Sequence, residues 1–216
     1  ALEDLAQPEL RLAGLRINPR THNMSRTRPF SGFTMQALAS GKSIPVLGLP
    51  ARLALEYPSF SPTGAHFAFV EVQAQGLALW MVEVASGQAK RLSDPTLSAT
   101  MGRPYTWAAD GKSLYVRVRP SIESYPESQA LPQGPAVQDA AGVKAPARTY
   151  QDLLRNALDE ARFAFYATAA IQRIDLEGKA RPILPPATST LSRIGRGLLS
   201  KTRPARAACE GRINLT

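Results

Sequence analysis

The chain has 216 residues, 44% hydrophobic and 20% charged, with a formal net charge of +9. That length can bury a sizeable core in one or two domains, and no run of eighteen apolar residues exists to cross a bilayer as a helix. The single cysteine, Cys209, excludes an internal disulfide and a Cys-based metal site.

The opening residues, ALEDLAQPEL, show no basic segment leading into an apolar core, so no signal peptide is visible. The chain does not begin with Met, which leaves a processed or excised start open, and the compartment is not legible. Residues 1–32 are irregular, with Leu10, Leu12, Leu15 and Ile17 suited to an edge strand before a polar, Arg-rich stretch at 18–28. A strand is predicted over 30–38, paired with 43–47 across the Ser40-Gly41 turn. The clearest pattern follows. Ser61-Pro62-Thr63-Gly64 is a turn in which Pro62 presets φ and Gly64 accepts a positive one. Beyond it Phe67, Phe69 and Glu71 alternate with Ala68, Val70 and Val72. A loop at 73–76, a second alternating run over 77–84, a turn at 85–88 and a short strand at 89–92 complete an antiparallel meander. Both faces of this sheet are apolar, so it requires neighbours on both sides.

The unit recurs. The run Tyr105-Thr106-Trp107 followed by the turn Asp110-Gly111 repeats residues 57–64, and Gly64 and Gly111 lie 47 residues apart. The turn of MQALASGK (35–42) is repeated in MVEVASGQ (81–88), 46 residues later, and again, one residue longer, in IQRIDLEGK (171–179). A period of ~40–50 residues built from four short strands is the signature of a β-propeller blade. An immunoglobulin-like sandwich also alternates, but nothing in it requires a turn repeated at fixed spacing. The expected architecture is all-β: an incomplete propeller of about three partial blades at 10–48, 57–93 and 105–187. The third blade is interrupted by an insertion at 120–168 that adds some 44 residues. Its first part holds five prolines between 120 and 146 and reads as extended loop. A helix is expected from Thr149, with the Thr149 hydroxyl as cap and Asp152 near its positive end, packing beside the blade. Strand returns at 169–175.

After Pro186 the pattern ceases. From residue 188 onward Arg193, Arg196, Lys201, Arg203, Arg206 and Arg212 face only Glu210, which concentrates +5 of the +9 in this stretch. Without aromatics to stack on bases, 188–216 reads as a disordered or non-native basic tail, not as a nucleic-acid-binding segment.

Candidate chemical sites are few. Gly41-Lys42-Ser43 resembles the end of a phosphate loop, but the first glycine of that motif would fall at Gln36, and a hairpin follows where a helix is needed. His22 and His66 are the only histidines, and His66 has no ligand partner at metal spacing. Asp159 and Glu160 point to different sides of a helix, a poor acid/base pair. Trp80 and Trp107 could stack on a ligand, yet their places in the repeat make them core residues. No Gly-x-Ser-x-Gly elbow is present. No catalytic, metal-binding or cofactor-binding residue is assigned.

Three segments carry a family resemblance: GPAVQ (134–138), KAPARTYQDLL (144–154) and DEARFAFYATA (159–169), supported by LAGLRI (12–17) and WMVEVASG (80–87). Over about residues 1–187 the chain resembles the N-terminal propeller of glutamyl endopeptidase-type serine peptidases of the prolyl oligopeptidase family. That resemblance implies a two-domain hydrolase in which a propeller caps an α/β-hydrolase domain carrying Ser, Asp and His, cleaves peptides after Glu, and admits only small or unfolded substrates. None of those catalytic residues maps onto this chain. The expectation is therefore a gating portion of a peptidase, inactive alone and cut short or frame-shifted after Pro186. Its peptide substrate would be engaged through the missing domain, with neither nucleic acid nor membrane as partner, and open sheet edges would favour self-association. The alternative is a stand-alone propeller-like interaction module whose basic tail meets an acidic partner.

Overall fold

The computed structural model describes residues 7–126 and 154–187, together with the backbone of 211–215. Among the described residues fourteen strands form four antiparallel sheets, with one α-helix. The first sheet holds β1 (Leu10–Leu12), β2 (Leu15–Asn18) and β3 (Asn23–Met24). β4 (Phe33–Ala37) and β5 (Ser43–Ile44) belong to a second. β6 (Leu55–Phe60), β7 (His66–Gln73), β8 (Gly76–Glu83) and β9 (Ala89–Arg91) form the third in simple meander order. β10 (Tyr105–Trp107), β11 (Ser113–Val118), β12 (Ala169–Asp175) and β13 (Ala180–Ala187) form the fourth in the same order, with helix α1 (Ala157–Ala167) between β11 and β12.

The two meanders are copies of one design. In the first, Ser61 N–H donates to His66 O at 2.8 Å and Gly64 N–H to Ser61 O at 2.9 Å; in the second, Ala108 N–H donates to Ser113 O at 2.9 Å and Gly111 N–H to Ala108 O at 3.0 Å. The β8–β9 and β4–β5 turns match as closely: Gly87 and Gly41 each donate to the carbonyl four residues back at 2.8 Å. The third copy closes one residue tighter, Gly178 N–H reaching Asp175 O at 3.1 Å.

The β6–β9 sheet is buried on both faces, as its two apolar sides require. Register places Phe67 opposite Val82 and Phe69 opposite Trp80 on one face, with Ala68 opposite Met81 and Val70 opposite Leu79 on the other. The first face packs against Met35, Phe33 and Ile44 of the β4–β5 sheet, with Phe33 5.2 Å from Phe67 and 5.6 Å from Phe69. The second face packs against Tyr105, Leu114, Val116 and Ile174 of the β10–β13 sheet. Each fully buried side chain of this kind contributes about 1.5–3 kcal/mol. Sheets stacked face to face in chain order are blades, and the fold is a partial β-propeller.

Three expectations change. The unit at 10–48 is not one blade, because β1–β3 form their own sheet, apart from β4 and β5. The helix does not run unbroken from Thr149: residues 149–153 lie outside the described residues, 154–156 are not helical, and α1 starts after Asn156. Asn156 Oδ1 accepts from Asp159 N–H at 2.8 Å, so the cap is an amide seven residues beyond the hydroxyl expected from the sequence. The helix also packs against the β1–β2 hairpin, where Phe165 and Tyr166 meet Leu12 and Ile17, so a late segment covers an early one. Finally, the expected unstructured tail contains a strand, β14 (Gly211–Leu215), antiparallel to β4 from Gly211↔Ala37 to Leu215↔Phe33. The physical reason is the free edge of β4, whose unpaired N–H and C=O groups take up any extended backbone that reaches them. Since β4 and β5 correspond to the last two strands of a blade, β14 occupies the place of the second.

Candidate functional site

The residues weighed from the sequence are placed as follows. Gly41 (φ 67°) and Lys42 make the β4–β5 turn and Ser43 starts β5, so no helix presents its N-terminus to a phosphate. His66 heads β7 and stacks on Trp107, ring centroids 6.3 Å apart and 29° between planes. Trp107 packs against the core between the β6–β9 and β10–β13 sheets, and Trp80 stacks on Phe69 at 6.2 Å while donating from Nε1 to Glu71 Oε2 at 2.7 Å. Asp159 is engaged at the start of α1, where its Oδ2 also accepts from Arg155 N–H at 3.0 Å; Glu160 is exposed beside it. Among the described residues no group of three His, Cys, Asp or Glu is placed to hold a metal ion, and no helix is long and apolar enough to cross a membrane. Cys209 lies outside the described residues.

Two polar assemblies were not foreseen. One is a seam joining three sheets. Asn23 at β3 donates from Nδ2 to Glu56 Oε2 at 2.7 Å and accepts on Oδ1 from the Tyr57 hydroxyl at 2.8 Å. Tyr57 has φ 55° and sits where the β6–β7 register shifts between Glu56 and Ser59. Its carbonyl, turned out of the ladder, lies 2.5 Å from the Tyr105 hydroxyl, which is also 2.8 Å from Ala68 O and from Ser59 Oγ. Burial pushes the Tyr105 phenol up to about 12, and burial with the nearby Glu56 charge does the same for Tyr57. Both phenols therefore stay protonated as hydrogen-bond donors. Neither can serve as a base near neutrality, so the seam is a clasp.

The other assembly grows from Val116-Arg117-Val118-Arg119. Period 2 directs Val116 into the core between the sheets and both arginines to the opposite side. Arg117 is 1% exposed; its Nη1 donates to Met101 O at 2.8 Å, while Nε and Nη2 are buried without a partner, and burial lowers its pKa. Arg119, just past β11, donates from Nη1 to Gln75 O at 3.0 Å and to Arg20 O at 3.3 Å. These bonds hold it at the wall of a cleft of about 510 Å³, lined also by Arg20, His22, Thr96 and Ile122. His22 is 2% exposed, its Nδ1 is buried without a partner, and burial and then the Arg119 charge depress its pKa to about 4. The alternation of Val and Arg was legible in the sequence; the meeting of Arg119 with Arg20 and His22, about a hundred residues earlier, was not.

The stacked four-stranded sheets thus define part of a β-propeller, with no catalytic constellation assembled among the described residues. No family model matches the chain. It is 30% identical over 202 residues to a probable chloroplastic glutamyl endopeptidase of Oryza sativa subsp. japonica, and 30% identical over 203 residues to the Arabidopsis thaliana protein of the same description. Each alignment takes in 88% of this chain but only 22% and 21% of the relative, so the chain spans about a fifth of the length of the curated relatives it matches. Among solved structures, Pyrococcus horikoshii acylaminoacyl peptidase aligns at 14% identity over 70% of this chain and 20% of that one, with a TM-score of 0.36. TolB from Acinetobacter baumannii aligns at 12% identity over 71% and 31%, with a TM-score of 0.33. Over most of its length the chain is thus similar to one part, about a fifth, of these two probable glutamyl endopeptidases.

Proposed function

We propose that this chain is the blade-forming, substrate-gating portion of a serine peptidase of the prolyl oligopeptidase family, and that it does not hydrolyse peptides by itself. The observation that carries this reading is the pair of copied blades, packed face to face, in a chain aligned over 88% of its length with glutamyl endopeptidases. A rigid sheet stack of this kind supplies a wall that limits what reaches a neighbouring active site. Its own polar seam is committed to holding sheets together.

The test is direct. The purified chain is expected to release no chromophore from a Glu-containing peptide substrate and to take no label from a serine-directed fluorophosphonate. Joining it to the hydrolase portion of a relative is expected to make turnover depend on substrate size. Hydrolysis or labelling by the chain alone defeats the reading. Salt-sensitive capture of an acidic protein, lost on deleting 188–216, would favour an interaction module instead.

A further inference from the structure

The cleft beside Arg119 has the features of a ligand site. Its guanidinium is oriented by two backbone carbonyls, Gln75 O and Arg20 O, which occupy Nη1 and leave the rest of the fork for another acceptor. Arg20 contributes a second, exposed guanidinium, and among the described residues neither arginine makes an ion pair. Among the described residues no carboxylate lines the cleft, while two guanidinium groups do. His22, buried with an unpartnered Nδ1, adds a polar group beside Thr96 and Ser121, and Pro19, Val118, Pro120 and the 72% exposed Ile122 supply apolar wall. A cleft of about 510 Å³ lies within the range of small-ligand sites, which combine apolar walls with a few fixed polar groups.

We propose that this cleft binds the carboxylate of a peptide, with Arg119 and Arg20 gripping the anion and the Pro19, Pro120 and Ile122 wall covering the adjoining aliphatic chain. A guanidinium fork matches a carboxylate in bidentate geometry, and such charge-assisted bonds exceed neutral ones in strength. The choice of a peptide rests on the peptidase reading, but binding is measured without catalysis, so the failure of one is distinguishable from the failure of the other.

Calorimetric titration of the full chain with three blocked peptides tests it and separates the two sources of a carboxylate. Acetyl-Ala-Ala-Glu-amide offers a side-chain carboxylate only, acetyl-Ala-Ala-Gln acid a terminal one only, and acetyl-Ala-Ala-Gln-amide neither. Binding of at least one acidic peptide is expected, with the amide at least about tenfold weaker. Arg119→Gln should weaken the acidic peptide about tenfold or more and Arg20→Gln by a smaller factor, with Lys179→Gln, outside the cleft, unchanged. Should Arg119→Gln fail to melt cooperatively, the exposed Arg20→Gln decides alone. Equal binding of the neutral amide, no binding of either acid, or binding unaltered in every folded arginine variant overturns the proposal.

Discussion

His22 shows how a single side chain comes to depend on the whole fold. It has φ 54° and packs its ring 4.8 Å from Tyr166 and 5.6 Å from Phe165, with Arg119 the charge that faces it. Its pKa falls from 6.5 to about 4 on folding, so protons bind the unfolded chain more readily. Stability is therefore lost as pH drops below about 6.5, and that loss levels off below about 4. Between pH 7 and pH 5 the loss should be about 2 kcal/mol. Glu9, whose carboxyl is held low by Ser25 and Arg11, acts below this window. Urea unfolding at pH 7, 6 and 5 should show this slope in the wild type and a flat line in His22→Asn, a residue that tolerates positive φ. Parallel pH profiles would refute it. The sequence marked His22 as one of two histidines but could not show its burial, which depends on α1 and on Arg119.

At the scale of elements, the repeated turn glycines separate local from tertiary demands. Gly41 and Gly87 hold matching turns, with φ 67° and 70°. A Cβ on Gly41 meets nothing within 4 Å, whereas one on Gly87 would lie 2.0 Å from Pro45 O. The cause is a contact between blades: Leu47 N–H donates to Gly87 O at 2.9 Å and Ala89 N–H to Leu47 O at 2.8 Å. Gly41→Ala should cost about 1–2 kcal/mol, the left-handed penalty alone. Gly87→Ala should cost clearly more, because backbone must shift. Thermal unfolding followed by circular dichroism gives the comparison; equal losses would mean that blade contact adds nothing at this turn. Both turns were readable from the SG dipeptide, while the difference between them was not, since it depends on which strand arrives beside Gly87.

For the whole molecule, the question is what happens at the edges of the stack. β13 is exposed along its length and carries Pro182, Pro185 and Pro186, which lack N–H donors and blunt pairing. The outer strand of the β14–β4–β5 sheet, Gly211–Leu215, contains no proline, and β14 joins β4 from more than 170 residues away. We propose that the chain self-associates through this edge. Sedimentation is expected to show species larger than a monomer, and deleting 211–216 should change their distribution by uncovering β4. A monodisperse monomer that melts cooperatively, with or without those residues, would contradict this.

The repeating module was determined by sequence alone. Side-chain alternation is a local property of extended backbone, so β7, β8, β9, β11 and β12, the repeated turns and the need for apolar neighbours on each face could be read before any coordinates, whereas the proline-rich β13 carries no such alternation. Tertiary structure decided what alternation cannot encode: the separation of β1–β3 from β4–β5, the packing of α1 on the first hairpin, β14 beside β4, and the convergence of Arg20, His22 and Arg119. These are pairings between distant segments, and a strand edge or a hydrophobic face specifies only that it must be covered, leaving the choice of partner to whatever the folded chain brings within reach.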